Sequence, residues 1–378
     1  MTRSLADRAD LAHTSRMTNE AQAPHTSSPK LRICILGCSG FIGSHLVKRL
    51  LADGRHRITG VDLVRGKVES LIGNDAFEFI ELDISTEAAL RPVIERSDVV
   101  VHLAAICNPS IYNREPTRVI DANYTHVLPT VSLCRDLEKR LVFYSTCEVY
   151  GKTPAAVAHT DDGQPYVLSE DASHLILGPV NAQRWTYACA KQLAERVIFA
   201  EGREHDLDFT IVRPFNFIGP EMDYLPGLER EGVPRVFPIF MRALLQGDAL
   251  PLVDGGHNRR TFIHIDEATD AAVRILERGP ACAAQIINVG HPGNEASIAE
   301  LADLMMALHK EKTGACASVT KNVSSAEFYG AGYDDCDRRI PDITKARGLL
   351  DWEPSMSLRD VFSTSMDYYI GKFGSQSA

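Results

Sequence analysis

The chain has 378 residues, of which 44% are hydrophobic and 24% charged, with a formal net charge of −10. That length accommodates one large α/β domain and a smaller lobe. An acidic balance without any run of Lys and Arg argues against a nucleic-acid surface, so an anionic ligand has to be held by a few locally placed arginines.

Residues 1–30 are polar and mixed in charge and carry no apolar core of the kind a secretory signal needs. Arg3, Arg8 and Arg16 suit a transit peptide, but Asp7, Asp10 and Glu20 do not, and the segment is read as a disordered tail. No stretch approaches the ~18 apolar residues of a membrane helix. The 9 cysteines are scattered and include no Cys-x-x-Cys. They read as reduced thiols of a cytoplasmic protein rather than as disulfides or metal ligands.

From residue 31 the pattern changes. Residues 31–36 form a short apolar run ending in glycine, as a buried parallel strand does, and 41–52 have helical spacing. Further strands are expected at 57–62, 77–83, 99–103, 141–145 and 209–213, with helices between them at 87–95 and 119–138. Strands alternating with helices predict a doubly wound parallel sheet over 31–215. Residues 219–238 are rich in Gly, Pro and charge and read as a long functional loop. A strand at 286–289 and helices at 298–309 and 358–369 complete the pattern. The smaller lobe is assigned to 216–257 and 291–373, with a return to the sheet domain near 258–290.

Gly37-Cys38-Ser39-Gly40-Phe41-Ile42-Gly43 lies between the first strand and the first helix. Glycines there permit a tight turn and close approach of a pyrophosphate to the helix N-terminus. Asp62 ends the second strand, where a carboxylate accepts the ribose hydroxyls of NAD and repels the extra phosphate of NADP. Arg65, nearby, is of the type that NADP enzymes use. Asp83 is a candidate for the adenine amino group and equally for a strand-end cap.

Tyr187 and Lys191 stand four residues apart at the start of a helix reaching Glu201, so phenol and ammonium share a face. A tyrosine with pKa of about 10 is a poor base near neutrality, and a neighbouring cation favours its phenolate. Such a group takes the proton of a sugar hydroxyl while hydride leaves for the cofactor. Ser145-Thr146-Cys147-Glu148-Val149-Tyr150-Gly151 follows the fifth strand, where a doubly wound sheet builds its site.

Together these three segments resemble the extended short-chain dehydrogenases that act on nucleotide sugars, over residues 31–373. The resemblance implies a Rossmann domain with Ile42, Ile84, Leu103 and Ala105 joining Gly37, Gly40, Phe41 and Gly43 around NAD. It also implies a homodimer formed through the helices near 119–138 and 187–201. Gly178-Pro179-Val180-Asn181, Arg184-Trp185, Arg213-Pro214-Phe215-Asn216, Asp254-Gly255-Gly256, Arg260-Thr261-Phe262 and Arg338-Arg339-Ile340-Pro341-Asp342 resemble the members that handle UDP-glucuronic acid. By resemblance, Asn216, Arg235 and Arg260 hold the UDP moiety, and Arg184, Tyr333 and Arg339 lie near the sugar. As bare sequence, Asp337-Arg338-Arg339 also reads as a solvated charged face.

Two branches share this pattern: the UDP-glucuronate oxidative decarboxylases of polymyxin resistance, and the UDP-apiose/UDP-xylose synthases. Cys107 in Ala104-Ala105-Ile106-Cys107-Asn108-Pro109, Cys147, and Glu231-Gly232-Val233-Pro234-Arg235-Val236 resemble the synthases. The resemblance implies that Tyr187, with Lys191 and Thr146, oxidises C4 of UDP-glucuronate and that Glu148 and Arg339 assist decarboxylation. Cys107, Cys147 and Tyr112 are candidates for the ring contraction that yields a UDP-pentose. Release of a UDP-4-keto-pentose with NADH, plain UDP-xylose synthesis, and a non-catalytic NAD sensor are the alternatives.

Overall fold

The computed structural model describes residues 30–158, 166–225, 235–329 and 334–374. All but the last residue of the expected tail at 1–30 and the Glu231-Gly232-Val233-Pro234 stretch lie outside the described residues.

The first strand, β1 (Arg32–Leu36), leads into α1 (Phe41–Asp53), β2 (Arg57–Asp62), β3 (Phe77–Glu81), α2 (Glu87–Glu95) and β4 (Val99–His102). Then come the short α3 (Pro109–Tyr112), α4 (Pro116–Asn123), α5 (Leu128–Asp136), β5 (Arg140–Tyr144), β6 (Val167–Leu168), α6 (Thr186–His205) and β7 (Phe209–Pro214). With β12 (Gln285–Val289), the long strands form a seven-stranded parallel sheet in the order β12-β7-β5-β4-β1-β2-β3. The chain runs outward from β1 through β2 to β3 and then crosses to β4 on the other side of β1. That reversal opens a crevice beyond the carboxyl ends of β1 and β4.

Alternate strand residues feed two cores. Ile33, Ile35, Val99, Val101 and Val142 pack with Leu46, Val47 and Leu50 of α1 on one face. Cys34, Leu36, Val100, Leu141 and Phe143 pack with Leu90, Val131 and Ile198 on the other. This two-sided burial explains why the strands read as continuous apolar runs.

The expected single helix over 119–138 is two helices separated by a one-turn segment, Thr125–Val127. Pro129 supplies the reason: its ring occupies the space of a preceding carbonyl and it has no N–H, so a helix can begin at α5 but not run through it. The loop reading of 219–238 is also corrected at its end. Helix α7 (Val236–Gln246) starts there, with Pro238 in the first turn where no N–H is missed and Phe237 and Phe240 buried.

The lobe carries β8 (Phe217–Ile218), β9 (Leu250–Val253), β10 (Arg259–Thr261), β11 (Ile263–His264), β13 (Glu295–Ser297), β14 (Thr320–Val323) and β15 (Arg338–Pro341). After α7 come α8 (Ile265–Arg278), which covers the large sheet beside α1, then α9 (Ile298–Thr313), the short α10 (Ser325–Tyr329), α11 (Thr344–Leu350) and α12 (Leu358–Phe373); α11 packs on α8 and β12 in the sheet-domain core, so the expected lobe at 291–373 is interrupted there. α7, α9 and α12 enclose their own apolar core around Phe237, Met305 and Phe362. A four-stranded sheet in the order β13-β10-β15-β6 faces the crevice, and its register sets Arg260 directly beside Arg339. Two like charges side by side are unfavourable without counter-charges.

Candidate active site

A cleft of about 1080 Å³ lies between the carboxyl edge of the large sheet and the lobe. Gly37, Gly40, Phe41, Ile42, Gly43, Leu103 and Ala105 line one end of it. Gly37 has φ +86°, and a Cβ there would sit 2.6 Å from the Ala104 nitrogen. A Cβ on Gly43 would sit 2.3 Å from the Gly37 carbonyl oxygen. The turn therefore excludes side chains and presents bare backbone at the start of α1, as a pyrophosphate cradle does. Asp62, at the end of β2 beside this turn and just outside the lining, accepts the Ser39 N–H at 2.9 Å and the Leu63 N–H at 2.8 Å. These residues fit NAD. Asp83, like Asp62 outside the cleft lining, has a carboxylate that accepts the Ser85 N–H at 2.9 Å, a contact that fits a strand-end cap. Ile84, also outside the lining, packs against the core under α2.

Helix α6 carries Tyr187 and Lys191 into the middle of the cleft, where they are 4% and 1% exposed. The Lys191 ammonium donates to the Tyr144 carbonyl at 3.0 Å and lies 4.6 Å above the Phe143 ring. Burial lowers its pKa to about 8, against the raising effect of Cys107 and Glu195. In the folded chain the neighbouring cation expected to favour the Tyr187 phenolate is opposed by burial. Burial pushes the phenol well up, Cys107 and Glu148 add to this, and a hydrogen bond with Thr146 opposes it. Desolvation is the largest of these effects.

Tyr112, at the end of α3, stacks on Tyr187 and its hydroxyl lies 4.0 Å from the Cys107 sulfur. Thr146 caps the turn Cys147–Tyr150 by accepting the Glu148 N–H at 3.1 Å. That turn carries Glu148 toward the lobe and leaves Cys147 buried, its thiol raised to about 11 by burial.

Glu148 receives both arms of Arg184, at 2.6 and 2.9 Å, and lies 3.6 Å from Arg339. Asp335 meets Arg184 at 3.3 Å, Arg260 at 2.9 Å and Arg339 at 3.6 Å. Three guanidiniums thus share two carboxylates, which resolves the repulsion between Arg260 and Arg339. Burial acts to raise both acids, but the surrounding guanidiniums prevail: Asp335 is held at about 2, and Glu148 below its usual range. Arg339 is 2% exposed, so this part of the Asp337-Arg338-Arg339 triplet is not a solvated face.

Asn216 donates to the Thr261 carbonyl at 2.8 Å, and Arg235 pairs with Asp223 at 3.0 Å; both line the cleft, as does Arg260. Tyr333 lies outside the described residues. Asp335 and Asp223 escaped the sequence reading. The only local signal for Asp335 is the acidic run Asp334-Asp335-Cys336-Asp337 before two arginines, a pattern that usually faces water.

Residues 33–290 match the family model described as the NAD dependent epimerase/dehydratase family. The chain belongs to that family. Its cofactor is accordingly NAD. UDP-D-apiose/UDP-D-xylose synthase 1 of Arabidopsis thaliana is 43% identical over 353 residues, covering 89% of this chain and 91% of that protein. UDP-D-apiose/UDP-D-xylose synthase of Oryza sativa subsp. japonica is 43% identical, covering 89% of each. Among solved structures, PbgP3 protein from Burkholderia pseudomallei superposes with a TM-score of 0.78 at 32% identity, covering 93% of this chain and 99% of that one. No helix among the described residues is long and apolar enough to cross a membrane.

Proposed function

We propose that the chain is a UDP-glucuronate decarboxylase of the UDP-apiose/UDP-xylose synthase type. The observation that carries this reading is the placement of two thiols, Cys107 beside the Tyr112 and Tyr187 phenols and Cys147 beside Glu148, in a cleft with an arginine–carboxylate cluster. The 43% identity to the plant synthases supports it.

When bound between the glycine turn and Asp62, NAD supplies an acceptor, and later a donor, of hydride at sugar C4. Tyr187 takes the C4 hydroxyl proton, Thr146 steadies the same oxygen, and Lys191 provides positive charge behind it. The resulting 4-ketone lies β to the carboxylate, so carbon dioxide leaves with its electrons held as an enolate. Arg339 and Arg184, oriented by Glu148 and Asp335, supply the cationic surface that receives the substrate carboxylate and then the developing oxyanion. Cys147, kept protonated by burial, acts in ring contraction as a proton donor, with Cys107 and Tyr112 exchanging protons at the neighbouring oxygens.

Product analysis by NMR after incubation with UDP-glucuronate and NAD tests the reading. UDP-apiose and UDP-xylose with little free NADH are expected. NADH accumulating in step with carbon dioxide makes the chain an oxidative decarboxylase instead; UDP-xylose alone makes it a plain xylose synthase; no carbon dioxide removes the proposal. A cytoplasmic homodimer accompanies it. Ile120 of α4 and Leu193 and Phe199 of α6, all more than 40% exposed, supply an apolar face for a second copy.

A further inference from the structure

Two motif residues have no task in the site described above: Arg213 of Arg-Pro-Phe-Asn, and Tyr150 of Ser-Thr-x-Glu-Val-Tyr-Gly. Neither lines the cleft. Arg213, on β7, meets Glu195 of α6 in a two-pronged pair, Nε to Oε1 at 3.0 Å and Nη2 to Oε2 at 2.7 Å. The two side chains are 4% and 5% exposed. The guanidinium lies 4.7 Å from the centre of the Tyr150 ring, and the Tyr150 hydroxyl donates to Asn288 Oδ1 at 2.8 Å. Asn288, on β12, is itself pinned by the Leu168 and Asp342 carbonyls and by Glu170. The guanidinium is thus held by the Glu195 carboxylate and the Tyr150 ring, next to Pro214, which lines the cleft.

Glu195 follows Lys191 by one helical turn and Tyr187 by two, so the three side chains lie along one face of α6. A buried, unpaired carboxylate at that distance draws an ammonium toward itself. Lys191 instead points to the Tyr144 carbonyl. The other groups acting on it are Cys107 from the loop after β4, His102 at the end of β4 and the Phe143 ring of β5. A buried ion pair is a weak source of stability, since apolar residues of similar volume serve as well or better. Its position therefore calls for another explanation.

We infer that the Glu195–Arg213 pair is a positioning element for Lys191. Arg213 holds the Glu195 charge away from the ammonium, and Glu195 keeps a bare guanidinium from opposing it. The inference rests on Lys191 serving the reaction proposed above. Tyr150, itself held by Asn288, braces the guanidinium, which ties the glutamate turn after β5 to the same device.

NMR titration of the full chain, with lysine labelled at its terminal carbon and Lys191 assigned by its loss in Lys191→Met, reads the effect directly. Glu195→Gln lowers the Lys191 midpoint and Arg213→Gln raises it, each by about one pH unit, because each leaves a single uncompensated charge nearby. The double variant returns it to the wild-type value. With UDP-glucuronate and NAD, both single variants lose kcat by about tenfold while KM stays within about twofold. Arg213→Lys keeps the charge without the fork; it leaves the midpoint in place and keeps kcat within about threefold of wild type. Midpoints that stay fixed, or that move the same way in both single variants, overturn the inference, as does a loss of kcat in Arg213→Lys as large as in Arg213→Gln. Undiminished carbon dioxide release in Tyr187→Phe removes the proposed reaction but leaves these midpoints as expected, so the two failures are distinguishable.

Discussion

The Tyr112 ring lies face to face with that of Tyr187, with centroids 5.6 Å apart and planes 13° from parallel. Both are buried, and Val119 of α4 packs against them. The stack fixes the direction of the Tyr187 phenol and keeps water from its face, while the Tyr112 hydroxyl reaches toward Cys107. Tyr112→Ala is expected to cost about 3–5 kcal/mol in urea unfolding, as loss of a buried aromatic does. Tyr112→Phe keeps the stack and should cost less than about 1.5 kcal/mol. If the two variants are equally stable, the stack contributes nothing to this part of the fold.

The arginine–carboxylate cluster makes stability depend on pH in a definite direction. Asp335 in the folded chain has its pKa lowered to about 2, its burial outweighed by Arg260, Arg184 and Arg339. A depressed carboxylate contributes stability that is complete above its unfolded value near 4 and is lost as pH falls toward 2. The contribution is roughly 2 kcal/mol, and Glu148 acts in the same sense. Denaturant unfolding at pH values across that window should show the loss. Asp335→Asn should flatten it and, by leaving three guanidiniums with one carboxylate, weaken the fold at neutral pH by about 3–5 kcal/mol.

At the other end of the cleft, Gly43→Ala places a methyl group 2.3 Å from the Gly37 carbonyl oxygen and 2.8 Å from the Cys38 Cα. Both contacts are backbone, so the turn must open. Overpacking of this kind costs about 1–3 kcal/mol, and calorimetry should show NAD affinity falling by at least about tenfold. Gly54→Ala is a control for glycine replacement as such: no atom lies within 4 Å of its Cβ, and NAD affinity should be unchanged, although its φ of +66° carries a small strain.

The two cysteines should separate decarboxylation from ring contraction. Cys147→Ser and Cys107→Ala are expected to release carbon dioxide within about threefold of the wild-type rate and to lower the fraction of UDP-apiose about tenfold or more, as loss of a general acid or base does. Unaltered product ratios in both variants, read by NMR, would dismiss a thiol role in the contraction.

Local pattern carried much of this protein. The strand runs, the glycine turn, Asp62 and the spacing of Tyr187 and Lys191 were legible because period, turn geometry and helix spacing act within a few residues. The breaks at Pro129 and Pro238 were misjudged for the same reason: helix competence around a proline depends on which turn it occupies. Partner choice was not legible. Arg260 and Arg339 are brought side by side by strands β10 and β15, 79 residues apart in the chain (339 − 260). Only that register creates the repulsion that Asp335 and Glu148 relieve. Likewise the pairing of Glu195 with Arg213 exists only once α6 is laid against β7. Sequence alone determined the sheet, the cofactor turn and the phenol–ammonium face, since those rest on short-range sterics and periodicity. The tertiary structure decided which charges are buried together, because desolvation and Coulomb attraction act through space and the fold alone sets those distances.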